Sequence, residues 1–304
     1  MELRDLEYFL TVVETGSLTL AARQRGLSQQ ALSKSLARLE GELGVALLER
    51  TPKGIMLTRM GEALLSRAQT VLAEVAHFRR DVDVALGRST TQFAIGLSPI
   101  AASGIGRHAV STLLRRFPRL VLKVEPGTAP HFVRLLLAGE IDLAVTTGIP
   151  GIDPQIMATS LGDERWLVVG RAGNPKLAAA RSIADLADAD WIFGKLPDGL
   201  DERVDQHFID AGIPPIQPRI STSTSDFGMQ MLGSSDMLAI LPHSMVEGVP
   251  GLVGRDLADG RWTTPLVLLR RRRATLTPVE TEMIELLRQE AGRLREMAGA
   301  VIKN

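Results

Sequence analysis

The sequence predicts an α/β protein in several parts: an N-terminal winged helix-turn-helix, a long linker helix and a C-terminal two-lobed α/β domain. Three observations lead there. The chain has 304 residues, more than one domain usually holds. Its first 85 or so residues show helical periodicity, interrupted only by Gly/Ser punctuation and one short basic hairpin. From residue 92 onward, short apolar strands alternate with helices, the pattern of an α/β fold.

Composition narrows the class. Hydrophobic residues at 45% and charged residues at 23% fit an ordinary globular protein with real cores. Cysteine is absent, which removes disulfides, thiolate metal sites and cysteine nucleophiles together, and fits a reducing compartment. The N-terminus lacks a basic n-region followed by an apolar h-region, and no stretch approaches the roughly 18 apolar residues of a membrane helix. The expectation is a cytoplasmic protein with no membrane partner. Lys+Arg and Asp+Glu both total 35, so any nucleic-acid contact must come from a local basic patch rather than from net charge.

Leu3, Leu6, Phe9, Leu10 and Val13 recur at three- and four-residue spacing and mark the first helix. Gly16-Ser17 ends it, and Ser17 caps a second helix that turns Leu18, Ala21 and Ala22 inward. Gly26 supplies the left-handed residue of a tight interhelical turn, and Ser28 caps a third helix with Leu32, Leu36, Leu39 and Leu43 as its buried stripe. The opposite face carries Ser28, Gln29, Gln30, Ser33, Lys34, Ala37 and Arg38. A solvated face of an amphipathic helix has such residues. So does a recognition helix, where Gln pairs with adenine, Ser and Ala sit near thymine methyls, and Lys or Arg reaches guanine or phosphate. The run Arg50 to Leu57 reads as a basic hairpin with Gly54 at its tip, a wing that sets Arg50 and Lys53 against phosphate.

Ala21-Ala22, Leu27-Ser28-Gln29, Ala31-Leu32-Ser33, Leu39-Glu40, Leu43-Gly44, Leu47-Leu48-Glu49-Arg50 and Leu57-Thr58 together resemble the signature of LysR-type transcriptional regulators, without gaps from about Leu6 to Gly61. Gln30, Leu48 and Met60 stand where the family often has Pro, Phe and Ala, and Gln30 and Lys34 bear on base preference. The resemblance implies a cytoplasmic regulator. It would bind double-stranded, dyad-symmetric DNA as a homodimer or homotetramer, respond to a small-molecule effector, contact RNA polymerase and need no cofactor. Residues 1–58 form the expected DNA-binding domain, 59–87 the linker helix and 92–304 the effector domain. Lobe I takes about 92–162 and 267–304, and lobe II about 163–266.

The linker helix runs from Thr58 to about Leu86 without an internal Pro. Leu64, Ala68, Val71, Val75, Phe78, Val82 and Ala85 step by alternating four and three residues, a spacing that fits a coiled-coil seam or the core-facing stripe of a bundle. The resemblance favours the seam, and pairing doubles a weak local contact with DNA. Gly87 to Thr91 reads as a hinge.

Beyond the hinge, strands are expected at 92–97, 121–125, 166–170, 191–193, 237–241 and 266–269, and Gly139 to Val145 reads as a turn into another strand. A last helix runs from Thr277 to about Ala298, with Thr277 as cap and Pro278 at its first position. The resemblance implies a fold similar to periplasmic binding proteins, with a cleft between lobes at helix starts. N–H groups there favour a carboxylate or similar anion. Ser98, Pro99, Thr128, Thr222 and Thr224 are the candidate effector residues, with Phe193 beside them; each Ser or Thr also fits ordinary capping. Ser234-Ser235-Asp236 replaces the Gly-rich run common in the family, and Asp236 alters local charge.

Enzymatic alternatives are thin. Gly104-Ile105-Gly106-Arg107-His108-Ala109 matches GxGxxA, with Glu125 about twenty residues on, which keeps open a dinucleotide-binding or solute-binding α/β protein with an unrelated helical N-terminus. The glycines, however, lie several residues past the expected strand end. The five His residues are scattered, and no GxSxG or GxxxxGK motif occurs. Arg270 to Arg273 fits a second DNA contact, but reads better as the solvated end of a strand that pairs acids or the partner subunit.

Overall fold

The computed structural model describes residues 1–52, 54–85, 91–148, 153–194, 196, 199–257, 259–272 and 275–301. Lys53, residues 87–90 of the expected hinge and Arg273 lie outside them.

The N-terminal helices are α1 (Leu3–Thr15), α2 (Leu18–Gln24) and α3 (Gln29–Leu43). Their boundaries follow local chemistry. The Ser17 hydroxyl accepts from the Leu20 N–H at 3.4 Å, and the Ser28 hydroxyl accepts from the Ala31 N–H at 3.1 Å. Gly26, at φ +65°, makes the turn between α2 and α3. Leu6, Phe9, Val12, Ala21, Ala22, Leu32, Leu36 and Leu39 close into one small core. Leu43 differs from expectation and is 40% exposed. The chain reverses at Gly44, and Leu47 takes a buried position in that core instead.

The wing is a hairpin of β1 (Leu48–Thr51) and β2 (Gly54–Leu57), paired antiparallel with Arg50 opposite Ile55. A glutamate on α3 holds it: Glu40 Oε1 accepts from the N–H groups of Leu47 at 2.7 Å and Leu48 at 3.1 Å. At its other strand, the Ile55 N–H donates to the Gly16 carbonyl at 2.9 Å. Helix α4 (Arg59–Ala85) then leaves the wing and extends about 40 Å. Its start is tight, since a Cβ on Gly61 would lie 2.1 Å from the Leu47 carbonyl oxygen.

The stripe read as one seam along α4 divides in two. Ala68 is buried and Leu64 half-buried against the DNA-binding core of their own chain. Val71, Phe78 and Val82 are 42%, 68% and 38% exposed, and Val75 is half-buried. Sequence spacing shows only which residues share a face, and here that face meets its own domain first and open surface later.

In the C-terminal half, β3 (Gln92–Leu97) pairs in parallel with later strands β4 (Val121–Pro126) and β5 (Leu143–Thr147). Between β3 and β4 lie α5 (Pro99–Ala101), a π turn at 102–106 and α6 (Arg107–Arg116); α7 (Ala129–Ala138) separates β4 from β5. The chain crosses to lobe II on β6 (Ile156–Arg171). Lobe II then adds α8 (Pro175–Ala179), β7 (Ile192–Phe193), α9 (Leu200–Asp210), β8 (Ile220–Ser221) and α10 (Ser225–Ser234). It continues with β9 (Ala239–Pro242), α11 (His243–Val246) and β10 (Leu252–Arg255), and β11 (Trp262–Arg271) returns to lobe I, where α12 (Pro278–Val301) closes the fold.

The large sheet has the order β10-β6-β11-β5-β3-β4, with β9 also paired to β6. Strands β6 and β11 run antiparallel from Ile156↔Arg271 to Trp166↔Trp262, and the register slips at Leu266/Val267, opposite Gly162. Both strands are longer than their apolar runs predict, because Thr159, Ser160 and Asp163 interrupt the hydrophobicity without interrupting the ladder. The expected turn from Gly139 into a strand holds an intermediate: Gly139 ends α7, and β5 begins at Leu143. The arginine run is not uniformly solvated. Arg271 is 2% exposed, Arg270 half-buried and Arg272 exposed.

Replacing Glu40 with Ala removes a charged acceptor from two backbone donors. The expected cost is about 2–3 kcal/mol, read as a lower urea midpoint for unfolding of the DNA-binding part, with Glu40→Gln retaining most of the stability. An unchanged midpoint in Glu40→Ala would show that the wing is held without this carboxylate.

Candidate functional site

The exposed face of α3 collects most of the residues read as DNA-contacting. Ser28, Gln29, Gln30 and Lys34 are exposed and Ser33 is half-buried. The Thr19 hydroxyl donates to Gln29 Oε1 at 3.2 Å, which orients the amide at the start of the helix. Neither Lys34 nor Arg50 has a carboxylate partner among the described residues, and Arg50 is exposed on β1.

Arg38 sits differently. Its Nη2 donates to Asp5 Oδ1 at 2.5 Å and lies 3.6 Å from Glu2, so the guanidinium ties α3 to the start of α1 while its side chain stays 46% exposed. Asp5 is fully buried and also accepts from the Ser35 hydroxyl and from the Glu2 N–H. Burial pushes its carboxyl upward, but the hydrogen bonds from Arg38, Ser35 and the Glu2 backbone outweigh that and hold it at about 2. Sequence reasoning missed Asp5 and Glu40. Glu2 and Asp5 form a capping box on α1, a spacing that the sequence displays, whereas Glu40 is marked in the sequence only as part of the Leu39-Glu40 signature, which does not say what it binds.

The effector candidates fall at helix starts in both lobes. Ser98 is buried, its N–H donates to the Val145 carbonyl at 2.9 Å, and its hydroxyl accepts from the Ala101 N–H at 3.4 Å; the adjacent Pro99 is exposed. Thr128 is the exposed N-cap of α7 and Thr224 the exposed N-cap of α10, and neither side chain makes a capping hydrogen bond. Thr222 turns inward locally: its N–H donates to the Phe193 carbonyl at 2.9 Å, and its hydroxyl accepts from the Thr224 N–H at 3.0 Å. Phe193 is half-buried, with its ring centroid 6.1 Å from that of Trp191.

A separate recess lies among Ser103, Gly104, His108, Ser244, Glu247 and Glu290, and shares none of those residues. Behind it Glu164, on β6, is 2% exposed and accepts from the Ser244 N–H at 3.0 Å. Glu164 Oε2 and Ser244 Oγ both face Gly104 and carry no hydrogen bond. Burial raises the Glu164 carboxyl above its ordinary 4.5, and Glu247 adds to the rise against Ser244 and Arg165. The glycines of the GxGxxA run belong to the π turn at 102–106, continuous with α6, and do not form a tight strand-to-helix turn. Among the described residues, no three His, Asp or Glu side chains cluster to hold a metal, and no helix is long and apolar enough to cross a membrane.

With this geometry in place, comparison with known proteins is decisive. Residues 87–292 match the model of the LysR substrate binding domain, and residues 3–62 match the bacterial regulatory helix-turn-helix of the lysR family. The chain belongs to the LysR-type transcriptional regulators. The probable hydrogen peroxide-inducible genes activator of Streptomyces viridosporus is 30% identical over 99% of this chain and 97% of its own. Full-length CbnR in complex with its target DNA superposes with a TM-score of 0.60 at 22% identity, covering 95% of this chain and 100% of the other. Full-length LysG from Corynebacterium glutamicum, with bound effector Arg, gives 0.64 at 18% identity over 96% and 99% of the two chains. The regulator is thus a DNA-binding, effector-responsive protein, and its family is one of transcription regulators rather than enzymes.

The raised Glu164 pKa carries a sign. The folded state binds the proton more tightly than the unfolded chain, so stability is full below the ordinary carboxyl value and falls as pH rises through the folded one. Glu164→Gln, which keeps an acceptor for the Ser244 N–H, is expected to flatten that fall and to melt about 2–4 °C above wild type at pH 8. A lower melting temperature with an unchanged pH profile would show that the folded state does not raise the proton affinity of this carboxyl.

Proposed function

We propose that α3 reads operator DNA in the major groove, with Ser28, Gln29, Gln30, Ser33 and Lys34 toward base edges and phosphates, while Arg50 and Lys53 of the wing grip the adjacent backbone. The pairing of Lys34 and Arg50 supports this reading most. They are exposed cations without carboxylate partners among the described residues, on a helix and a hairpin locked together by Glu40. Arg38, anchored by Asp5, contributes a phosphate contact at fixed position rather than a mobile one. Pairing of two chains through Val71, Val75, Phe78 and Val82, with Leu64 and Ala68 supporting the helix from within, sets two such readers on a dyad-symmetric site. The regulator works in the cytoplasm, where the chromosome is, and its output passes to RNA polymerase.

The effector in this reading is a small carboxylate held between lobes by the N–H groups and hydroxyls at Ser98, Thr128, Thr222 and Thr224, with Pro99 and Phe193 shaping the site. The cap threonines at 128 and 224 support it, since each hydroxyl leaves its helix start unsatisfied. LysG takes Arg, a ligand that carries a carboxylate. The Streptomyces relative is named for hydrogen peroxide, but this chain contains no cysteine, so a thiol switch is not available to it and its effector binds non-covalently.

Selection of genomic fragments by the purified full chain is expected to recover a few sites with dyad symmetry. Lys34→Glu should then bind them at least about tenfold more weakly, about 1.4 kcal/mol, with dimerisation intact; unchanged affinity rejects the reading surface.

In a melting-temperature screen of small molecules, carboxylates are expected to stabilise the regulator, as any ligand specific to the native state does. Thr128→Val should lose that shift. Stabilisation by uncharged compounds alone, or an undiminished shift in Thr128→Val, rejects the anion site.

A further inference from the structure

The linker helix is seated on lobe I, at the ends of α7, β6 and β11. Gly139, which ends α7, touches α4 so closely that a Cβ there would lie 2.6 Å from the Ala73 Cβ and 3.0 Å from its Cα. Ala73 is 2% exposed. One turn earlier on α4, the Thr70 hydroxyl donates to Gln155 Oε1 at 2.5 Å, immediately before β6 begins. Arg271, the last residue of β11, closes the group. It is buried, its Nη1 donates to the Leu136 carbonyl at the end of α7 at 2.6 Å, and its Nε lies 3.8 Å from Glu74 on α4. Ile156 and Arg271 are paired across the ladder, and the Arg272 N–H donates to the Gln155 carbonyl at 2.6 Å, so these ends are also tied to one another.

One of these elements, α7, has its other end at an effector candidate, and two others run on toward the second lobe. Helix α7 starts at Thr128, about 15 Å away along its axis. Strands β6 and β11 continue into lobe II past the register slip at Leu266/Val267. Helix α7 does not yield in between, because Phe132, Leu135, Leu136 and Leu137 pack against Ile141, Ala144, Val267 and Leu269 in one cluster. A buried arginine bonded to a helix carbonyl and beside a linker carboxylate has a fixed geometry. Moving α7 or the strand ends displaces Arg271, and Glu74 and Ala73 with it.

We infer that Arg271 is a positioning residue that couples the interlobe cleft to the linker helix, through the seat it forms with Gly139, Ala73, Glu74 and Gln155. The inference rests on the cleft being the effector site. Its physical content is a coupling free energy between Thr128 and α4, transmitted through the seat and lost when the seat is opened.

The test needs no known effector. Thr128→Trp fills the cleft end of α7 without removing a capping bond, and hydrogen exchange of the α4 amides at 66–76 is then measured in the full-length protein. The exchange rates should change by about threefold or more. The same substitution in Ala73→Leu, which wedges the seat, or in Arg271→Gln should leave them unchanged; having both variants guards against one that fails to fold. No change of α4 exchange on Thr128→Trp overturns the coupling, and so does an equal change in all backgrounds. If carboxylates stabilise the regulator through Thr128 while α4 exchange stays unmoved, the coupling fails and the cleft reading stands. If α4 responds through the seat while no carboxylate binds, the coupling stands and the effector class falls.

Discussion

The effector half depends on one ladder, the antiparallel pairing of β6 with β11 from Ile156↔Arg271 to Trp166↔Trp262. These strands belong to both lobes, and the main hydrophobic core extends along them, from Ile95, Leu143 and Leu287 on one side to Trp191, Phe208 and Leu238 on the other. A paired ribbon of that length resists stretching but twists and bends where its register slips. The slip opposite Gly162, at φ +117°, puts the compliant point at the boundary between lobes. A rotation of one lobe on the other would turn about this ribbon and be felt at its ends. Those ends carry Gln155 and Arg271.

The DNA-binding half solves the opposite problem, rigidity in a small unit. Its core has few large side chains, and polar clamps supplement it: Asp5 binds Arg38 and Ser35 across α1 and α3, and Glu40 binds the backbone that opens the wing. Buried carboxylates are stable only when fully served with donors. Asp5, held at about 2 despite its burial, satisfies that condition. The clamps also sort the cations. Arg38 is drawn toward Asp5, while Lys34 and Arg50 remain turned outward, so a chain of zero net charge still presents a local basic surface.

Much of this was legible in the sequence where the controlling chemistry is local. Ser17, Gly26, Ser28, Thr277 and Pro278 punctuate helices through their own hydroxyls, φ angles and missing N–H, and they stand where the pattern puts them. The same holds for Thr128 and Thr224 as caps, although capping spacing does not distinguish a hydroxyl that bonds its helix from one that leaves it open. What tertiary packing decides was not legible. Leu47 rather than Leu43 is buried in the core, and Ala68 packs against its own domain. Arg271 is indistinguishable from Arg270 and Arg272 in a basic run, and only the approach of α4 and α7 buries it. The first half of β6 was hidden because Thr159, Ser160 and Asp163 read as loop.

The exposed apolar residues of α4, with Phe78 at 68%, sit well away from the α3 face and the wing. If α4 pairs the chains and α3 reads DNA, as proposed, assembly and recognition are separable by mutation, and this has a genetic meaning. An allele that damages α3 but spares α4 still enters oligomers with intact copies, and each mixed oligomer has lost one of its readers. In a cell carrying both alleles the defective one is dominant, while an allele that destroys the α4 surface is recessive.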